Sequence, residues 1–242
     1  MPKYYIGTSG WHYEDWRGLF YPENLPKSKW LEFYSRHFHT VELNNSFYRL
    51  PSEKAFVNWR GAVPEYFTFA VKVSRFITHI KRLKDAEEPL QKFLVRTDLL
   101  GDKLGPLLYQ LPPNMKRSDE RLERFLGILL GRHRHVFEFR HESWFDDNVF
   151  TMLRNYNAGW CAFDMPDLTS PVVATADFAY IRFHGSDGLY SGNYSDRELV
   201  GWAQKITTLG ENLKAVYIYF NNDIAGYAID NARTLMRLIG IP

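Results

Sequence analysis

Short runs of β-branched and aromatic residues recur along the chain, and the segments between them carry the apolar spacing that is typical of helices. The runs begin roughly 20 to 40 residues apart, which brackets the length of one strand plus its crossover helix in a parallel sheet. No linker rich in Gly, Ser or Pro interrupts the series, so we expect a single domain over residues 1–242. The predicted strands cover residues 4–7, 40–44, 68–73, 107–110, 135–139, 159–164, 180–184 and 215–220.

Most of the connectors predict helices, near residues 29–37, 53–62, 87–100, 148–156, 196–209 and 228–238. Ser52 and Ser118 each precede a helical stretch and are expected to cap it. The sixth connector, residues 165–177, contains Pro166 and Pro171 and has no helical period. This connector is therefore expected to be irregular.

Eight strands that alternate with helices predict an α/β fold of the (β/α)8 TIM-barrel type with an irregular sixth crossover. The 242 residues match the roughly 250 that are typical of this fold. An open doubly wound sheet is the alternative, but such a sheet more often begins with a glycine-rich phosphate turn. Residues 7–11, with the sequence GTSGW, lack the G-x-G-x-x-G spacing of that turn. The barrel is therefore the preferred interpretation.

Charge and cysteine content exclude several classes of protein. Lys and Arg number 30 against 28 Asp and Glu, a net charge of +2. This near balance does not point to a polyanion partner, although a local basic patch stays open. The chain has one cysteine, Cys161, no secretory signal pattern and no apolar run of membrane-helix length. We therefore expect a cytoplasmic protein without a membrane partner.

Aromatic residues are unusually many, with 18 Phe, 15 Tyr and 7 Trp. Strand phenylalanines that alternate with polar positions are expected to face outward, into the layer between barrel and helices. They are Phe69, Phe137, Phe139, Phe163 and Phe183. A second set follows the strands and is expected to rim the barrel mouth, where rings can stack on a sugar or a nucleobase. This set is Trp11, Phe47, Tyr48, Trp144, Phe145, Tyr190, Tyr194 and Phe220.

Polar and charged residues concentrate at the carboxyl ends of the predicted strands, where TIM-barrel enzymes hold their active sites. Charges inside strands that are buried on both faces are costly unless they are paired. The residues concerned are Glu42, Asn44, Lys72, Gln110, Glu138, Arg140, Asp164, Arg182, His184, Tyr219 and Asn221. The alternative is that the carboxylates and cations among them form a purely structural salt-bridge network.

Carboxylates beside arginines, a lysine and a histidine suit a substrate that carries an anion and undergoes proton transfer. Arg140 and Arg182 are expected to hold a phosphate or carboxylate, with Lys72 adding positive charge. The predicted catalytic residues are Glu42 or Glu138 as base or nucleophile, His184 as acid, and Asp164. The predicted substrate-binding residues are Asn44, Tyr48, Lys72, Gln110, Arg140, Trp144, Arg182, Tyr219 and Asn221.

No cofactor and no metal are expected. Glu42, Glu138, Asp164 and His184 are acceptable ligands for a divalent metal. The chain has no H-E-x-x-H spacing, however, and the neighbouring Arg and Lys residues would oppose a cation. Cys161 falls at the start of a predicted strand, away from the carboxyl end, so we expect a core thiol rather than a nucleophile.

Several longer motifs resemble those of one family. They are WRG at 16–18, FYP at 20–22, ELNNSFY at 42–48, ITH at 77–79, LGP at 104–106, QLPP at 110–113, EFRHESW at 138–144, RFHG at 182–185 and YFNND at 219–223. Together they resemble the YecE-like family catalogued as domain of unknown function 72, in the right order over essentially the whole chain. The resemblance implies a TIM-type barrel with these blocks around one pocket. It implies no reaction, because none is assigned to that family.

These observations favour an enzyme, a hydrolase, isomerase or lyase without a redox cofactor. Its expected substrate is an anionic, ring-containing small molecule such as a phosphorylated sugar or a nucleotide derivative, transformed by acid–base or hydrolytic chemistry. The alternative is a module that binds a nucleotide or single-stranded nucleic acid in the same pocket without catalysis. A third hypothesis is an enzyme relic that serves as an interaction scaffold.

Overall fold

In a computed structural model that describes residues 2–129, 131, 133–188 and 190–241, eight parallel strands form one sheet that curls into a nearly closed barrel. The strands, labelled β1 to β8, are Lys3–Thr8, Thr40–Leu43, Thr68–Lys72, Leu104–Gln110, His135–Glu138, Gly159–Asp164, Phe178–Phe183 and Ala215–Phe220. Each overlaps its predicted run. The predicted α/β fold of the (β/α)8 TIM-barrel type is therefore confirmed.

Helices connect most of the strands. Within the described residues, α1 to α8 cover Trp30–Tyr34, Asn45–Tyr48, Glu53–Ala62, Glu87–Thr97, Asp119–Gly127, Asp147–Asn155, Asp196–Gly210 and Tyr227–Ile239. Short 3-10 helices lie at Glu14–Trp16, Lys27–Lys29, Asp98–Lys103, Glu142–Trp144 and Ile224–Gly226, and a π-helix spans Phe76–Ile80. The connector between β6 and β7, described throughout, contains no helix. The irregular sixth crossover is thus confirmed.

The two predicted helix caps have different outcomes. Ser52 caps α3, since its hydroxyl accepts a hydrogen bond from the Ala55 N–H at 3.2 Å. Ser118 occupies the predicted N-cap position of α5, but its side chain makes no capping hydrogen bond. The first turn of α5 contains the acidic residue Asp119, and a negative charge is favourable at the N-terminus of a helix. Its carboxylate accepts from Nε of Arg117 at 2.5 Å.

The barrel closes between β1 and β2, which are the two ends of the sheet order. Directly after β1, Ser9 forms a backbone bridge with Glu42 of β2. Next to it, the hydroxyl of Tyr34 on α1 accepts from the Thr8 N–H at 2.9 Å and donates to the Thr40 carbonyl at 3.1 Å. A helix side chain therefore supplies the link that a direct strand-to-strand hydrogen bond provides elsewhere in the barrel.

Gly7 on β1 makes room for this link. A Cβ atom at this position would collide with the Thr40 carbonyl oxygen and would lie 2.9 Å from the Tyr34 hydroxyl. Both contacts are too close for a side chain of any size. A glycine is therefore required where the tyrosine hydroxyl enters the seam.

Tyrosines occupy much of the barrel interior, where branched aliphatic residues are usual in this fold. The rings of Tyr5 and Tyr217 stack with their centroids 4.7 Å apart, and those of Tyr180 and Tyr219 lie 5.2 Å apart. The Tyr219 hydroxyl shares a 2.6 Å hydrogen bond with the hydroxyl of Thr40. These tyrosines account for part of the unusually high aromatic content, because their rings fill the barrel interior.

Four strand phenylalanines face outward as expected. Phe69, Phe137, Phe139 and Phe183 are buried in the core between barrel and helices. The prediction for Phe163 is wrong, because it is in register with Arg182, whose side chain lies inside the barrel. Residues in register on parallel strands share a face. The Phe163 ring lies 6.2 Å from that of His184, at the barrel mouth.

No helix in the described part of the chain combines the length and the apolar character that a membrane crossing requires.

Tyr34→Phe tests the hydroxyl link at the seam. The substitution leaves the Thr8 N–H and the Thr40 carbonyl buried without this partner, so we expect the free energy of unfolding to fall by about 1–3 kcal/mol. Urea denaturation measures the loss. Tyr66→Phe is the matched control, because Tyr66 is exposed and its hydroxyl lies outside the seam. Equal stability of the two variants would contradict the role given to Tyr34.

Candidate functional site

Strand register brings most of the predicted polar residues to the inner face at the carboxyl end of the barrel. Gln110 and Glu138 are in register on β4 and β5. Glu42 is in register with Ala70, an interior residue of β3. Lys72 lies two positions beyond Ala70 and therefore on the same face. The candidate residues thus approach one another from different strands.

Two carboxylates and one guanidinium form a buried cluster that we call the ionic floor, consisting of Glu42, Glu138 and Arg182. Arg182 donates from Nη2 to Glu42 Oε1 at 2.7 Å and from Nη1 to Glu138 Oε2 at 2.6 Å. Each of the three side chains is at most 1% exposed. One guanidinium on β7 therefore joins carboxylates from β2 and β5.

The carboxylate oxygens of the floor have further donors. The Tyr180 hydroxyl donates to Glu42 Oε2 at 2.6 Å, and the Ser9 hydroxyl donates to Glu42 Oε1. Arg140 donates from Nε to Glu138 Oε1 at 2.5 Å. All four carboxylate oxygens are engaged. The floor therefore has the geometry of the salt-bridge network that the sequence left as an alternative.

In the floor, charge pairing and hydrogen bonding together shift the pKa values more than burial does, and in the opposite direction. Burial by itself raises the pKa of both carboxyls, but Arg182 holds the pKa of Glu42 below its usual range. Arg140, together with Arg182, holds the pKa of Glu138 well below its usual range. Burial by itself lowers the pKa of Arg182, and the two carboxylates raise it well above its ordinary value. The three floor residues are therefore charged at pH 7.

His184 lies beside the floor as a neutral ring. Burial and the charge of Arg182 lower its pKa to about 4. Nε2 lies 3.1 Å from Nη2 of Arg140, which can only donate, so Nε2 accepts this hydrogen bond. Nδ1 faces the side-chain amide of Asn221 at 3.1 Å. This charge state gives no support to the acid role predicted for His184.

Lys72 has no hydrogen-bond or ion-pair partner for its amine among the described residues. Nζ lies 4.2 Å from the centroid of the Phe47 ring. Phe47 is on α2, which the Ser46 hydroxyl ties to the Lys72 carbonyl at 2.7 Å. Burial and then the charge of Arg182 lower the pKa of Lys72 to about 7, although the floor carboxylates oppose this. About half of the amines are therefore neutral at pH 7.

Two side-chain amides of the site carry unused acceptors. The nitrogen of the Asn44 amide donates to the Ser9 hydroxyl at 2.6 Å. Within the described chain, the buried Oδ1 of Asn44 and the buried Oε1 of Gln110 have no hydrogen-bond partner. A buried polar atom without a partner costs stability unless a ligand or water satisfies it. Both oxygens are therefore available to a donor on a bound molecule.

Asp164 does not join the floor. It is in register with Phe183, which faces outward, so alternation along β6 directs Asp164 to the outer face. Its carboxylate accepts instead from the Thr169 hydroxyl at 2.9 Å. The structure therefore separates Asp164 from Glu42 and Glu138, and its predicted catalytic role loses its geometric basis.

Two of the predicted substrate-binding residues, Trp144 and Tyr219, do not lie at the mouth. Trp144 is fully buried against Phe139, with ring centroids 4.7 Å apart, and its Nε1 donates to the Met115 carbonyl at 2.7 Å. The loop after β5 folds back and inserts this ring into the outer core. Tyr219 is buried inside the barrel. Tyr48, by contrast, is 74% exposed beside Phe47.

Several residues of the site were not singled out as site residues from the sequence. Ser9 and Tyr180 donate to the floor, and Tyr180 stands two residues before Arg182, a period-two signal that marks the same face. His79 lies on the π-helix with its ring 5.0 Å from Phe47. Tyr190, which the sequence predicts at the rim, has its ring 5.9 Å from His184 and a φ of 66°. Such backbone strain is a structural signal that the sequence does not carry.

The candidate metal ligands do not assemble into a metal site. In the described residues, no group of three or more His, Cys, Asp and Glu side chains is arranged to hold a metal ion. Cys161 lies inside the barrel with Sγ 3.8 Å from Glu138 Oε2. Burial raises the pKa of its thiol well above the ordinary value. This is the protonated core thiol that the sequence predicts.

Comparison with known proteins gives a consistent result. The model of a family described as "Protein of unknown function DUF72" matches residues 5–242. The chain is 29% identical to the UPF0759 protein YunF of Bacillus subtilis, over 98% of this chain and 95% of that one. It is 31% identical to the UPF0759 protein YecE of Escherichia coli, over 58% of this chain and 50% of that one. A DUF72 family protein from Thermotoga maritima, known from its crystal structure, is 32% identical, covers 98% of this chain and 99% of its own, and superimposes with a TM-score of 0.90.

Arg182→Met tests the ionic floor. Removing the guanidinium leaves buried carboxylates without their shared counter-charge, so we expect the free energy of unfolding to fall by about 3–5 kcal/mol at pH 7. The lowered pKa values mean that the floor stabilises the protein above the ordinary carboxyl value of 4.5 and loses this effect as the pH falls. The difference between wild type and variant should therefore shrink in acid. Urea denaturation at several pH values measures it.

Arg117→Met is the matched control for this experiment. Arg117 also bridges two carboxylates, Asp119 at 2.5 Å and Asp146 at 2.9 Å, but these groups are partly exposed. Exposed pairs contribute little, so its loss should be much smaller and should change little with pH. Losses of equal size in the two variants would contradict the floor as a special stabilising element.

Proposed function

The chain belongs to the DUF72 family, a family of unknown function, and we propose that the mouth of its barrel is the active site of an enzyme for acid–base chemistry. The proposed substrate is an anionic, ring-containing small molecule such as a phosphorylated sugar or a nucleotide derivative. The reaction class is that of a hydrolase, isomerase or lyase, and the proposed chemistry uses no redox cofactor or metal.

The observation that carries this proposal is the unpaired amine of Lys72 at the carboxyl end of β3. A partly buried ammonium without a counter-ion is unfavourable, and such groups are concentrated at functional sites. With a pKa of about 7, the amine takes up a proton and releases it again near neutral pH. One residue can therefore serve as base and then as acid.

Positive charge on one side of the mouth supports an anionic substrate. Arg140 uses Nε on the floor and Nη2 on His184, while its Nη1 has no hydrogen-bond partner in the described part of the chain. Burial and the charges of Lys72, Arg75, Arg140 and Arg82 lower the pKa of His79, which lies among them, to about 4. Converging cations of this kind attract phosphate or carboxylate groups.

The remaining groups suit a ring with hydroxyl or amino substituents. The unused oxygens of Asn44 and Gln110 can accept hydrogen bonds from such groups. The rings of Phe47 and Tyr190 offer apolar faces at the mouth. Glu42 and Glu138, predicted as catalytic residues, act in this proposal as positioning residues, because their oxygens hold Arg182 and Arg140.

Lys72→Gln tests the proposed base. The protein is incubated with the anionic small-molecule fraction of a cell extract, and consumption of each compound is followed by mass spectrometry. Wild-type turnover should rise with pH through about 7, as Lys72 loses its proton. Loss of the base should lower it about 100-fold or more.

Lys92→Gln controls for the loss of a lysine as such. Lys92 is on the exposed side of α4, where it pairs with Glu88 at 2.6 Å. This variant should turn over the same compounds at the wild-type rate. If Lys72→Gln retained wild-type turnover while folding normally, the proposed active site would be wrong.

A second candidate function is binding of a nucleotide or a single-stranded nucleic acid without catalysis. The observation in its favour is an exposed basic and aromatic rim beside Lys72. Tyr48 and Phe76 are exposed rings, and the Lys81 amine lies 6.0 Å from the Phe76 ring. Stacking rings beside cations are typical of proteins that bind single strands.

A fluorescently labelled single-stranded oligonucleotide tests this second candidate by anisotropy. Binding should weaken steeply with salt, and Tyr48→Ala should cost about 1–3 kcal/mol of binding free energy through lost stacking. Tyr156→Ala, an exposed tyrosine at the end of α6, is the control and should bind normally. Affinity that is independent of salt would exclude this function.

A further inference from the structure

We propose that the amine of Lys72 forms a covalent imine with an aldehyde or ketone group of its substrate, so that the site takes an anionic carbonyl compound. The inference rests on the proposed function of the same site and specifies its substrate class. Three observations support it: the position of the Lys72 amine, its contact with an apolar ring, and its lack of a hydrogen-bond or ion-pair partner among the described residues.

The amine of Lys72 is held against an apolar ring and is otherwise unengaged. Nζ lies 4.2 Å from the centroid of Phe47, and no described residue accepts a hydrogen bond from it. Lys72 ends β3, at the edge of the barrel where ligands of this fold bind. Its side chain is partly exposed, so a small molecule can reach it. The nitrogen lone pair is therefore accessible.

The carboxylates near Lys72 are committed to other groups. Both oxygens of Glu42 and both of Glu138 are engaged by other donors of the site. Arg182 and Arg140 add positive charge near the amine. The neutral His79 ring packs against Phe47 in an edge-to-face contact, with ring centroids 5.0 Å apart. This environment favours the neutral amine, which is the nucleophilic form.

Lys103 provides an internal contrast. It is more deeply buried than Lys72, and its Nζ donates to the carbonyls of Arg60 at 2.9 Å and Val63 at 2.8 Å and pairs with Glu65 at 3.2 Å. This ammonium therefore has two hydrogen-bond acceptors and a counter-ion. Lys103 is therefore paired, whereas the partly buried Lys72 at the barrel mouth has no partner among the described residues.

The proposed step balances without a co-reactant. The nitrogen lone pair adds to the carbonyl carbon, the C=O electron pair moves to oxygen, and one proton passes from nitrogen to that oxygen. The resulting carbinolamine expels its hydroxyl group with a second nitrogen proton as water, which leaves a C=N bond. Water reverses the reaction. The free Nη1 of Arg140 is available to the anionic group of the substrate.

Reductive trapping on the full-length protein tests the imine. Glycolaldehyde phosphate is added at pH 7 with sodium borohydride, which delivers hydride to the imine carbon and converts the adduct to a stable secondary amine. Peptide mass spectrometry then locates the label. Lys72 should be labelled roughly 100-fold faster than the exposed Lys92, because an ordinary lysine, with a pKa of about 10.4, is almost wholly protonated at this pH. Lys103 should stay unlabelled.

Two further measurements separate a specific site from general reactivity. Unphosphorylated glycolaldehyde should label Lys72 about tenfold more slowly, because it lacks the charged hydrogen bond to Arg140, and Arg140→Gln should remove the difference. Inorganic phosphate should compete with the phosphorylated probe. Labelling of Lys72 no faster than of Lys92 would overturn the proposal.

The trapping result and the turnover result are independent of each other. Turnover that requires Lys72 without any trapped adduct would overturn the imine and leave the acid–base function standing. A specific adduct on Lys72 without turnover of any compound would support the imine and count against an enzyme. Lys72→Arg, with unfolding compared to wild type, shows whether loss of the label reflects loss of the amine or loss of the fold.

Discussion

The double ion pair of Arg182 is the interaction on which the barrel mouth depends. Its guanidinium lies between Glu42 on β2 and Glu138 on β5, so one side chain connects strands that are not neighbours in the sheet. Three charges can be buried together only because each is paired and hydrogen bonded. Ser9, directly after β1, and Tyr180 on β7 donate further hydrogen bonds to Glu42. The floor therefore joins the closing seam of the barrel to the opposite side of its mouth.

This pairing determines what the surrounding groups can do. Because both carboxylates are engaged, neither is free to neutralise Lys72, and burial beside Arg182 leaves that amine half-ionised near pH 7. Burial and the same positive charge keep His184 neutral, so Arg140 can donate a hydrogen bond to it. In the proposed chemistry, Lys72 and Arg140 contact the substrate. Glu42 and Glu138, which the sequence predicts as catalytic residues, position the arginines instead.

The errors of sequence interpretation have a common origin in side-chain direction. The sequence predicts the wrong faces of β6 for Asp164 and Phe163, because alternation yields two faces and only the register with β7 shows which one is inside. Trp144 follows a strand, as a ring at the mouth would, but its loop folds back into the outer core. Tyr5, Tyr180 and Tyr217 fill the barrel, whereas composition shows only an excess of rings.

The order of strands and helices, the irregular sixth crossover and the family all follow from the sequence, because they depend on local periodicity, on proline and on motifs that are contiguous in the chain. The concentration of polar residues at the strand ends is equally readable. Which carboxylate meets which cation depends on distances across the barrel between residues more than forty positions apart, such as Glu138 and Arg182. The unpaired state of Lys72 is therefore a property of the folded barrel, since it arises from the partners that other residues have already taken.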